Sequence, residues 1–389
     1  QQTTGPVTAK ALEDTTFYRY SRNLAENEVG SRPDVMGVEL AEFHAQNALR
    51  QRDHRWSLTA TSTHDTKRGE DARARLSLLC ELPNTWRQTA RDLHRLASPY
   101  RAALQGKEVP TRSDAYLYYQ SLIGAIPFGA SDESLLASKP RLQEYLVKAC
   151  REAKTRSSWL HPDKEYEAAL NAFVAGTLED VEFRARARRF CRRIDPYAAS
   201  KALGQVVLKL CSPGIPDTYQ GSEDWHQVLV DPDNRRPVDF ATLEARLAAL
   251  DERRADPLGL VQALLLAYAD GQLKLFVVSE LLRLRGALPE PFQAGYVPFE
   301  AGEDCVGFGR GTNEVCELLC VVARFPFRVT RGRAPWAIGK VWGDQAMSGS
   351  GFVGRYRNVF TGARLDSSGS LPLAQVLSDL PFAVLVIER

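Results

Sequence analysis

The sequence has no long apolar run, because no window of its 389 residues approaches the 18 consecutive apolar residues that a membrane-spanning helix requires. It has no excess of charge of one sign either, since 50 basic residues are matched by 48 acidic ones, for a net charge of +2. The first absence predicts no membrane span. The second argues against a nucleic-acid partner held by bulk phosphate attraction. The start, "QQTTGPVTAK", lacks the pattern of a signal peptide and has no initiator methionine, so the chain reads as a piece of something longer.

The seven cysteines are odd in number and scattered along the chain. That pattern fits free thiols in a reducing compartment, so we expect a cytoplasmic protein. Cys316 and Cys320 could form a metal pair, but "EVCELLCVVARF" reads as a buried strand and no histidine is near. Because buried free cysteine is common, the sequence predicts no metal site and no cofactor.

Two short segments read as parallel strands. Residues 57–63 are rich in β-branched side chains, and residues 214–219 lie between glycine and proline turns. Helical periodicity fills 69–195, and helices around short parallel strands favour an α/β barrel or an open α/β sheet. From about residue 292 the apolar period changes to two, which predicts a small all-β domain.

In such folds the chemistry lies at the carboxyl ends of the strands. The segment 57–63 ends at His64 and Asp65, and a charged, helix-like segment follows Lys67 and Arg68. A lone His-Asp pair is a weak signal, because an aspartate at the end of a strand often caps the next helix and a histidine often packs in a core. The surrounding sequence is more specific.

Several blocks resemble one enzyme family. "STHDTKR" is similar to the motif that ends the seventh barrel strand in the α-amylase clan, and "GIPDTYQGSE" is similar to the clan's signature at the eighth strand. The further blocks "GPVTAKALEDTTFYRY", "EVG", "DAYLYYQSLIGAIP", "REAKTRSSWLHPDKEYE" and "LVDPDNRRPVDF" resemble the maltooligosyltrehalose synthases within that clan. The resemblance covers residues 1 to about 245, and the C-terminal part matches only in general character.

The resemblance implies the fold class. We expect an α/β protein that is the C-terminal part of a (β/α)8 barrel, with a large helical insertion and a C-terminal antiparallel β-sandwich. The expected domains are a barrel segment with strand 7 at 1–78, the helical insertion at 79–195, strand 8 with its loop and helices at 196–290, and the β domain at 291–389.

The resemblance also implies the reaction. A maltooligosaccharide would be the substrate, and its reducing-end α-1,4 linkage would become an α,α-1,1 linkage by intramolecular transglycosylation, a net isomerisation in trehalose biosynthesis. This retaining route needs a nucleophilic carboxylate and an acid about 5–5.5 Å apart. Neither of their motifs is found in these 389 residues. We therefore expect the N-terminal half of the same enzyme as the partner.

Asp65 is the catalytic residue that the resemblance implies for this chain. It would hold the 2- and 3-hydroxyls of the sugar and stabilise the oxocarbenium-like charge of the transition state. His64 would donate a hydrogen bond to the same hydroxyls. Lys67 and Arg68 could reach the sugar or orient Asp65, and the alternative for both is a surface ion pair with the acidic residues that follow them.

The remaining substrate-binding residues fall into two groups. Lys10, Glu13, Phe17, Tyr18 and Arg19 form a cluster whose rings could wall the sugar pocket and whose charges could bind hydroxyls. The alternative is a helix packed on the barrel, with Glu13 paired to Arg19.

The second group consists of Asp231, Asn234 and Arg235, on the loop after the eighth strand. Such loops hold the non-reducing side of the cleaved bond in related enzymes. The alternative is a turn held together by Asp-Arg pairing, and a rigid loop could serve both purposes.

Two other functions stay open. The first is a glycoside hydrolase of the same clan acting on maltooligosaccharides, which would raise the amount of reducing sugar. A synthase would lower that amount without shortening the chain. The second is an inactive oligosaccharide-binding fragment, because two catalytic carboxylates are missing from the sequence.

Overall fold

The computed structural model describes residues 2–35 and 37–388. They form two compact units, and each unit is built from separate stretches of the chain. The first unit comprises 1–36, 64–195 and 226–236, and the second comprises 37–63, 196–225 and 237–389. The four domains expected from the sequence stay a prediction.

The first unit is mainly helical, in agreement with the periodicity of residues 69–195. Its helices are Thr4–Pro6, the π-helical segment Val7–Thr16, Phe17–Arg19, Glu70–Ser77, Pro83–Ala97, Arg112–Ala125, Asp132–Ala137, Lys139–Ala153, Lys164–Glu179 and the first part of Val181–Cys211. Short 3-10 turns lie at Leu24–Glu26, Leu78–Cys80, Ser98–Tyr100 and Asp233–Arg235. Polar side chains fix several helix starts, since Thr111, Ser131 and Asp163 each accept a hydrogen bond from a first-turn amide.

One hairpin interrupts the helices of the first unit. Ala102–Leu104 pairs antiparallel with Lys107–Val109. The two residues between the strands, Gln105 and Gly106, both have positive φ, at 52° and 74°. That backbone twist matches two paired strands. Helix is predicted almost throughout this stretch, and the hairpin is an exception that the sequence did not indicate.

The helix Val181–Cys211 is longer than the sequence suggests. It continues past residue 195, where the expected helical insertion ends, and Pro196 lies inside it. Proline removes one amide donor and disfavours a helix interior. The buried side chains of Ile194, Ala198 and Ala199 flank it on the same helix. Burial of such apolar groups offsets the local cost of the proline.

A fully buried ion pair lies inside the first unit. A guanidinium nitrogen of Arg75 lies 3.0 Å from a carboxylate oxygen of Asp195, with side-chain exposures of 0% and 1%. Arg75 also donates to the carbonyl oxygen of Ile123 at 3.0 Å and lies over the ring of Phe128. Burial raises the pKa of Asp195, although the charge of Arg75 opposes that shift. Removal of one partner alone would leave the other charge buried without its counter-charge, which is costly.

The second unit contains the predicted parallel strands, reduced to two residues each. Leu58–Thr59 pairs in parallel with Ile215–Pro216. The other helices of this unit are Leu40–Asp53, Phe240–Glu252, Pro257–Leu266, Gln272–Ala287, Pro289–Gln293, Pro326–Thr330 and Leu373–Val376, with 3-10 turns at Tyr268–Asp270 and Gly339–Trp342. Asp239 and Asp256 cap two of these helices by accepting first-turn amides.

The C-terminal part of the second unit is a curled antiparallel sheet, as the period-two pattern predicts. In spatial order its six strands are Tyr296–Pro298, Cys305–Gly311, Cys316–Ala323, Phe382–Ile387, Ala346–Asn358 and Arg364–Pro372. The longest hairpin, formed by the last two strands of that order, has an irregular register between Ser348 and Val353.

Alternate side chains of the central strands enter two different cores. Leu318 and Val322 pack in a cluster with helical residues such as Val206. Their neighbours Leu319 and Val321 pack in a second cluster. Because successive strand residues point to opposite faces, both faces of the central strands are covered, one of them by helices.

The mixed helix and sheet character is therefore confirmed, while the barrel and the β-sandwich are not. The described strands form a six-stranded sheet with helices on one face, where a sandwich would place a second sheet. Within residues 2–35 and 37–388, no helix is long and apolar enough to span a membrane. All seven cysteines are free thiols, and Cys316 and Cys320 lie in one buried strand.

Candidate active site

His64 and Asp65 lie in a loop of the first unit and are both exposed. The next helix, Glu70–Ser77, has Gly69 at its N-cap position and no side-chain cap. Asp65 therefore does not cap this helix, which is the non-catalytic alternative for an aspartate at the end of a strand. An exposed, acidic loop residue of this kind can face a polar ligand.

Glu28 fixes the backbone immediately after this pair. One carboxylate oxygen accepts the amide of Lys67 at 2.7 Å, and the other accepts the amide of Arg68 at 3.1 Å. The guanidinium of Arg73 donates to the second oxygen at 3.0 Å. A carboxylate that accepts several charged or amide donors is held firmly, so the loop that carries Asp65 is anchored two residues downstream of it.

The side chain of Lys67 is directed into the unit and is 3% exposed. Its Nζ donates to a carboxylate oxygen of Asp14 at 2.7 Å, and Lys10 forms an ion pair with the other oxygen of Asp14. The pKa of Lys10 is raised, first by the hydrogen bond and charge of Asp14 and in smaller part by the charges of Glu152 and Asp65. The acidic charge of Asp65 thus acts on the exposed ammonium of Lys10.

Arg68 is also buried, with 1% of its surface exposed. Its guanidinium donates to the hydroxyl of Tyr145 at 2.7 Å and to the carbonyl oxygen of Leu24 at 3.4 Å. It also lies 5.9 Å from the centre of the Tyr145 ring. These contacts tie the loop to the helix Lys139–Ala153, so Arg68 supports the loop from inside the unit.

The N-terminal cluster divides into exposed and buried members. Glu13 is buried and accepts the amide of Gly30 at 2.9 Å, whereas Arg19 is exposed and its Nε donates to the carbonyl oxygen of Ala153 at 2.5 Å. The rings of Phe17 and Tyr18 are buried at 1% and 5% exposure. Burial also raises the pKa of the Tyr18 hydroxyl well above its usual range.

The loop at 226–236 joins the His-Asp loop through Asn234. The side-chain amide of Asn234 donates to the carbonyl oxygen of His64 at 3.1 Å, and this residue is 3% exposed. Asp231 accepts from Lys148 at 2.5 Å, and the exposed guanidinium of Arg235 lies 3.9 Å from Asp231. The structure therefore brings Asn234 to the His64 backbone and contains the expected Asp-Arg pair.

Asp233 holds the same loop in place, although no sequence pattern singled it out. Both of its oxygens accept from Arg141 at 2.8 Å, and one also accepts the amide of Leu229 at 2.9 Å. A bidentate arginine-carboxylate pair is strong and fixes direction. The loop is therefore clamped to the helix Lys139–Ala153 at two points, Arg141 and Lys148.

Sequence reasoning missed Asp14, Glu28, Arg141 and Lys148. Glu28 lies in the short "EVG" block, and Asp14 is adjacent to a selected glutamate. The local sequence around Glu28 and Asp14 does not indicate which distant amide or ammonium group each carboxylate contacts. No group of three or more potential metal ligands is assembled among the described residues.

Sequence comparison relates the whole chain to a named protein. It is 34% identical over 394 residues to a protein from two strains of Mycobacterium tuberculosis that carries the provisional name maltooligosyl trehalose synthase. The alignment covers 100% of this chain, which spans 45% of the length of those relatives. No protein-family model matches the chain.

Solved structures give the same relationship. The chain is similar to maltooligosyltrehalose synthase from Arthrobacter ramosus, with a TM-score of 0.81 and 34% identity, over 99% of this chain and 46% of that one. It is also similar to a hypothetical maltooligosyl trehalose synthase from Sulfolobus tokodaii, with a TM-score of 0.74 and 28% identity, over 98% and 45% of the two chains. The expected C-terminal portion fits these matches, and the chain is a homologue of part of the maltooligosyltrehalose synthases.

Proposed function

We propose that this chain supplies part of the active site of a maltooligosyltrehalose synthase. Its substrate would be a maltooligosaccharide, and the reaction would move the reducing-end glucose from an α-1,4 to an α,α-1,1 linkage. The observation that carries the proposal is Asp65, an exposed carboxylate on a loop anchored by Glu28 and Asn234. Similarity to part of the synthases, along the whole of this chain, supports the same assignment.

In this proposal Asp65 stabilises the transition state. As the glycosidic bond breaks, positive charge develops on the anomeric carbon and ring oxygen of the sugar. A carboxylate held in position before the reaction stabilises that charge without a reorganisation cost. The same oxygens would accept hydrogen bonds from the 2- and 3-hydroxyls, with His64 as the neighbouring donor.

Lys10 and Arg235 are the members of the two predicted groups that we assign to substrate contact. Both side chains are exposed, and Asp65 acts on the charge of Lys10. Each could donate to sugar hydroxyls. Arg19 is exposed as well and could do the same from the end of its short helix.

The buried residues of the candidate site would act by positioning other groups. Lys67 bridges to Asp14 and Arg68 to Tyr145, so we assign both to orienting the loop of Asp65. Glu13, Phe17 and Tyr18 would form the packed wall behind the site. Asp231 and Asn234 would hold the second loop against the first.

Two components would have to come from outside these residues, namely the nucleophilic carboxylate and the general acid. The N-terminal half of the same enzyme is the partner that we propose for them, and the chain's share of about 45% of its relatives leaves room for such a half. We place the reaction in the cytoplasm on the basis of the free thiols.

The test is to supply the N-terminal half as a second polypeptide and incubate the mixture with maltopentaose. We expect reducing sugar to fall while the product keeps five glucose units. Rising reducing sugar with shorter products would favour the clan hydrolase. No turnover by two folded halves that associate would favour the inactive binding fragment.

A further inference from the structure

A groove of about 590 Å³ lies on the first unit and shares no residue with the candidate active site. It runs along the helix Pro83–Ala97 and includes the start of Arg112–Ala125. Its volume lies within the range of sites that bind small molecules.

The charge of this groove is one-sided. Arg22, Arg87, Arg91 and Arg112 line it and are exposed, and none of its described lining residues is acidic. Among residues 2–35 and 37–388, none of the four forms an ion pair with a carboxylate, although the charge of Arg112 acts on Glu108. The nearby Glu108 is paired with Arg101 at 2.6 Å. Four guanidinium groups therefore surround one cavity in a chain of net charge +2.

The spacing of two of these arginines is unfavourable without a ligand. Arg87 and Arg91 are one turn apart on the same helix, and like charges at that spacing destabilise a helix. Burial lowers the pKa of His94, which also lines the groove, and the charges of Arg101 and Arg112 lower it further. A bound anion would reduce the repulsion between Arg87 and Arg91 and would offset the positive charges that act on His94.

The floor of the groove is aromatic. Trp86 and Tyr116 line it, and the indole nitrogen of Trp86 donates to the Tyr116 hydroxyl at 2.9 Å. With that polar group satisfied, the rings present mainly carbon to the cavity. An inorganic anion alone would leave this apolar surface unused, whereas a ring attached to the anion would cover it.

We propose that this groove binds an organic phosphate, in which a phosphate group is joined to a ring. A phosphate group carries a charge of about −1.5 to −2 and has three oxygens that match arginine forks. The phosphate would lie among Arg22, Arg87, Arg91 and Arg112, and the ring would lie against Trp86 and Tyr116. A nucleotide and a sugar phosphate share this chemistry, and their rings distinguish them.

Isothermal titration calorimetry of the full chain tests the proposal with three probes: inorganic pyrophosphate, adenosine diphosphate and glucose 6-phosphate. We expect at least one probe with a ring to bind more tightly than pyrophosphate, and to bind more weakly as salt is added. Tighter binding of adenosine diphosphate would identify the ring as a nucleobase, and tighter binding of glucose 6-phosphate would identify it as a sugar.

Matched variants locate the site. Arg91→Gln should weaken binding about tenfold, because one charge-assisted hydrogen-bonding group is lost. Arg193→Gln removes an exposed arginine outside the groove. It should change the binding affinity by less than about twofold, because a distant exposed charge contributes little. Arg87→Gln provides a second variant if the first unfolds, as judged by circular dichroism. Three outcomes would overturn the proposal. The first is failure of all three probes to bind at millimolar concentration, and the second is an equal loss of affinity in the groove and control variants. The third is binding of pyrophosphate that is as tight as binding of both probes with rings.

Discussion

The carboxylate of Glu28 accepts the backbone amide of Lys67 at 2.7 Å, across 39 positions of sequence. Its second oxygen accepts the amide of the next residue, Arg68, at 3.1 Å. Both donors are buried. One side chain therefore replaces water as the acceptor for two consecutive amides, and it fixes the backbone that follows the candidate catalytic pair.

The variant Glu28→Gln should loosen this loop. Its side-chain NH2 group would replace one acceptor with a donor facing an amide, at a cost of about 1–3 kcal/mol. We expect the amides of Lys67 and Arg68 to exchange with deuterium about tenfold faster or more, since 1.4 kcal/mol corresponds to a factor of ten. Hydrogen exchange followed by mass spectrometry measures this change. Glu252→Gln, an exposed change in the other unit, should leave these amides unaffected, and unchanged exchange in Glu28→Gln would contradict the anchoring role.

The carboxylate of Asp14 should contribute to acid sensitivity. Burial raises its pKa, but hydrogen bonds and charges from Lys10 and Lys67 outweigh burial, and the pKa ends below its ordinary value. Because the folded pKa is the lower one, the stabilisation is present above the unfolded pKa of about 3.9 and is lost as pH falls through the folded pKa.

We expect Asp14→Asn to lose about 1 kcal/mol of unfolding free energy near neutral pH, the scale of a partly exposed ion pair. The difference from the unaltered chain should shrink as pH falls below the unfolded pKa of about 3.9 and disappear once pH is below the lowered folded pKa. Urea titrations at several pH values measure it. Asp344→Asn, an exposed change in the second unit, is the control, and a difference independent of pH would refute the ionic explanation.

The buried pair Arg75–Asp195 should show strong coupling. Arg75→Met leaves a buried carboxylate without its partner, and we expect a loss of about 3–5 kcal/mol. The double variant Arg75→Met with Asp195→Leu should recover most of that loss, because both desolvated charges are removed. A urea double-mutant cycle measures the coupling. Additive losses in the double variant would show that the two charges do not stabilise each other.

Asn234 should influence the His-Asp loop with little effect on overall stability. Asn234→Ala removes the hydrogen bond to the carbonyl oxygen of His64, and we expect a loss of about 1 kcal/mol. The complemented protein is this chain mixed with the N-terminal half supplied as a second polypeptide. If the loop positions Asp65, kcat of the complemented protein on maltopentaose should fall about tenfold with little change in KM, as for an interaction that acts on the transition state. A drop in thermal midpoint without any change in kcat would leave Asn234 a purely structural role.

The sheet was predictable because its signal is local. Alternating residues such as Leu318 and Leu319 enter opposite cores, and that period is visible in the sequence. The hairpin at 102–109 was missed because its turn uses Gln105 with positive φ, where asparagine or aspartate is the usual signal. The helix Val181–Cys211 continues through Pro196 because packing overrides local preference.

The candidate site was only partly predictable. The motif at His64 and Asp65 is contiguous, so it could be recognised without the fold. The groups that hold it come from Glu28 and Asn234, which meet the loop only after folding. Sequence likewise does not reveal that Lys67 and Arg68 are directed inward, because a charged residue in a polar segment normally stays in water.

The most direct test of the proposed function is the turnover of maltopentaose by Asp65→Asn in the complemented protein. The amide keeps the shape but loses the charge opposite the developing cation. We therefore expect kcat to fall by a factor of about 10²–10³, as for loss of one preorganised electrostatic group, with an unchanged thermal midpoint. Activity within about threefold of the unaltered protein, which corresponds to less than 1 kcal/mol of transition-state stabilisation, would contradict the role proposed for this carboxylate.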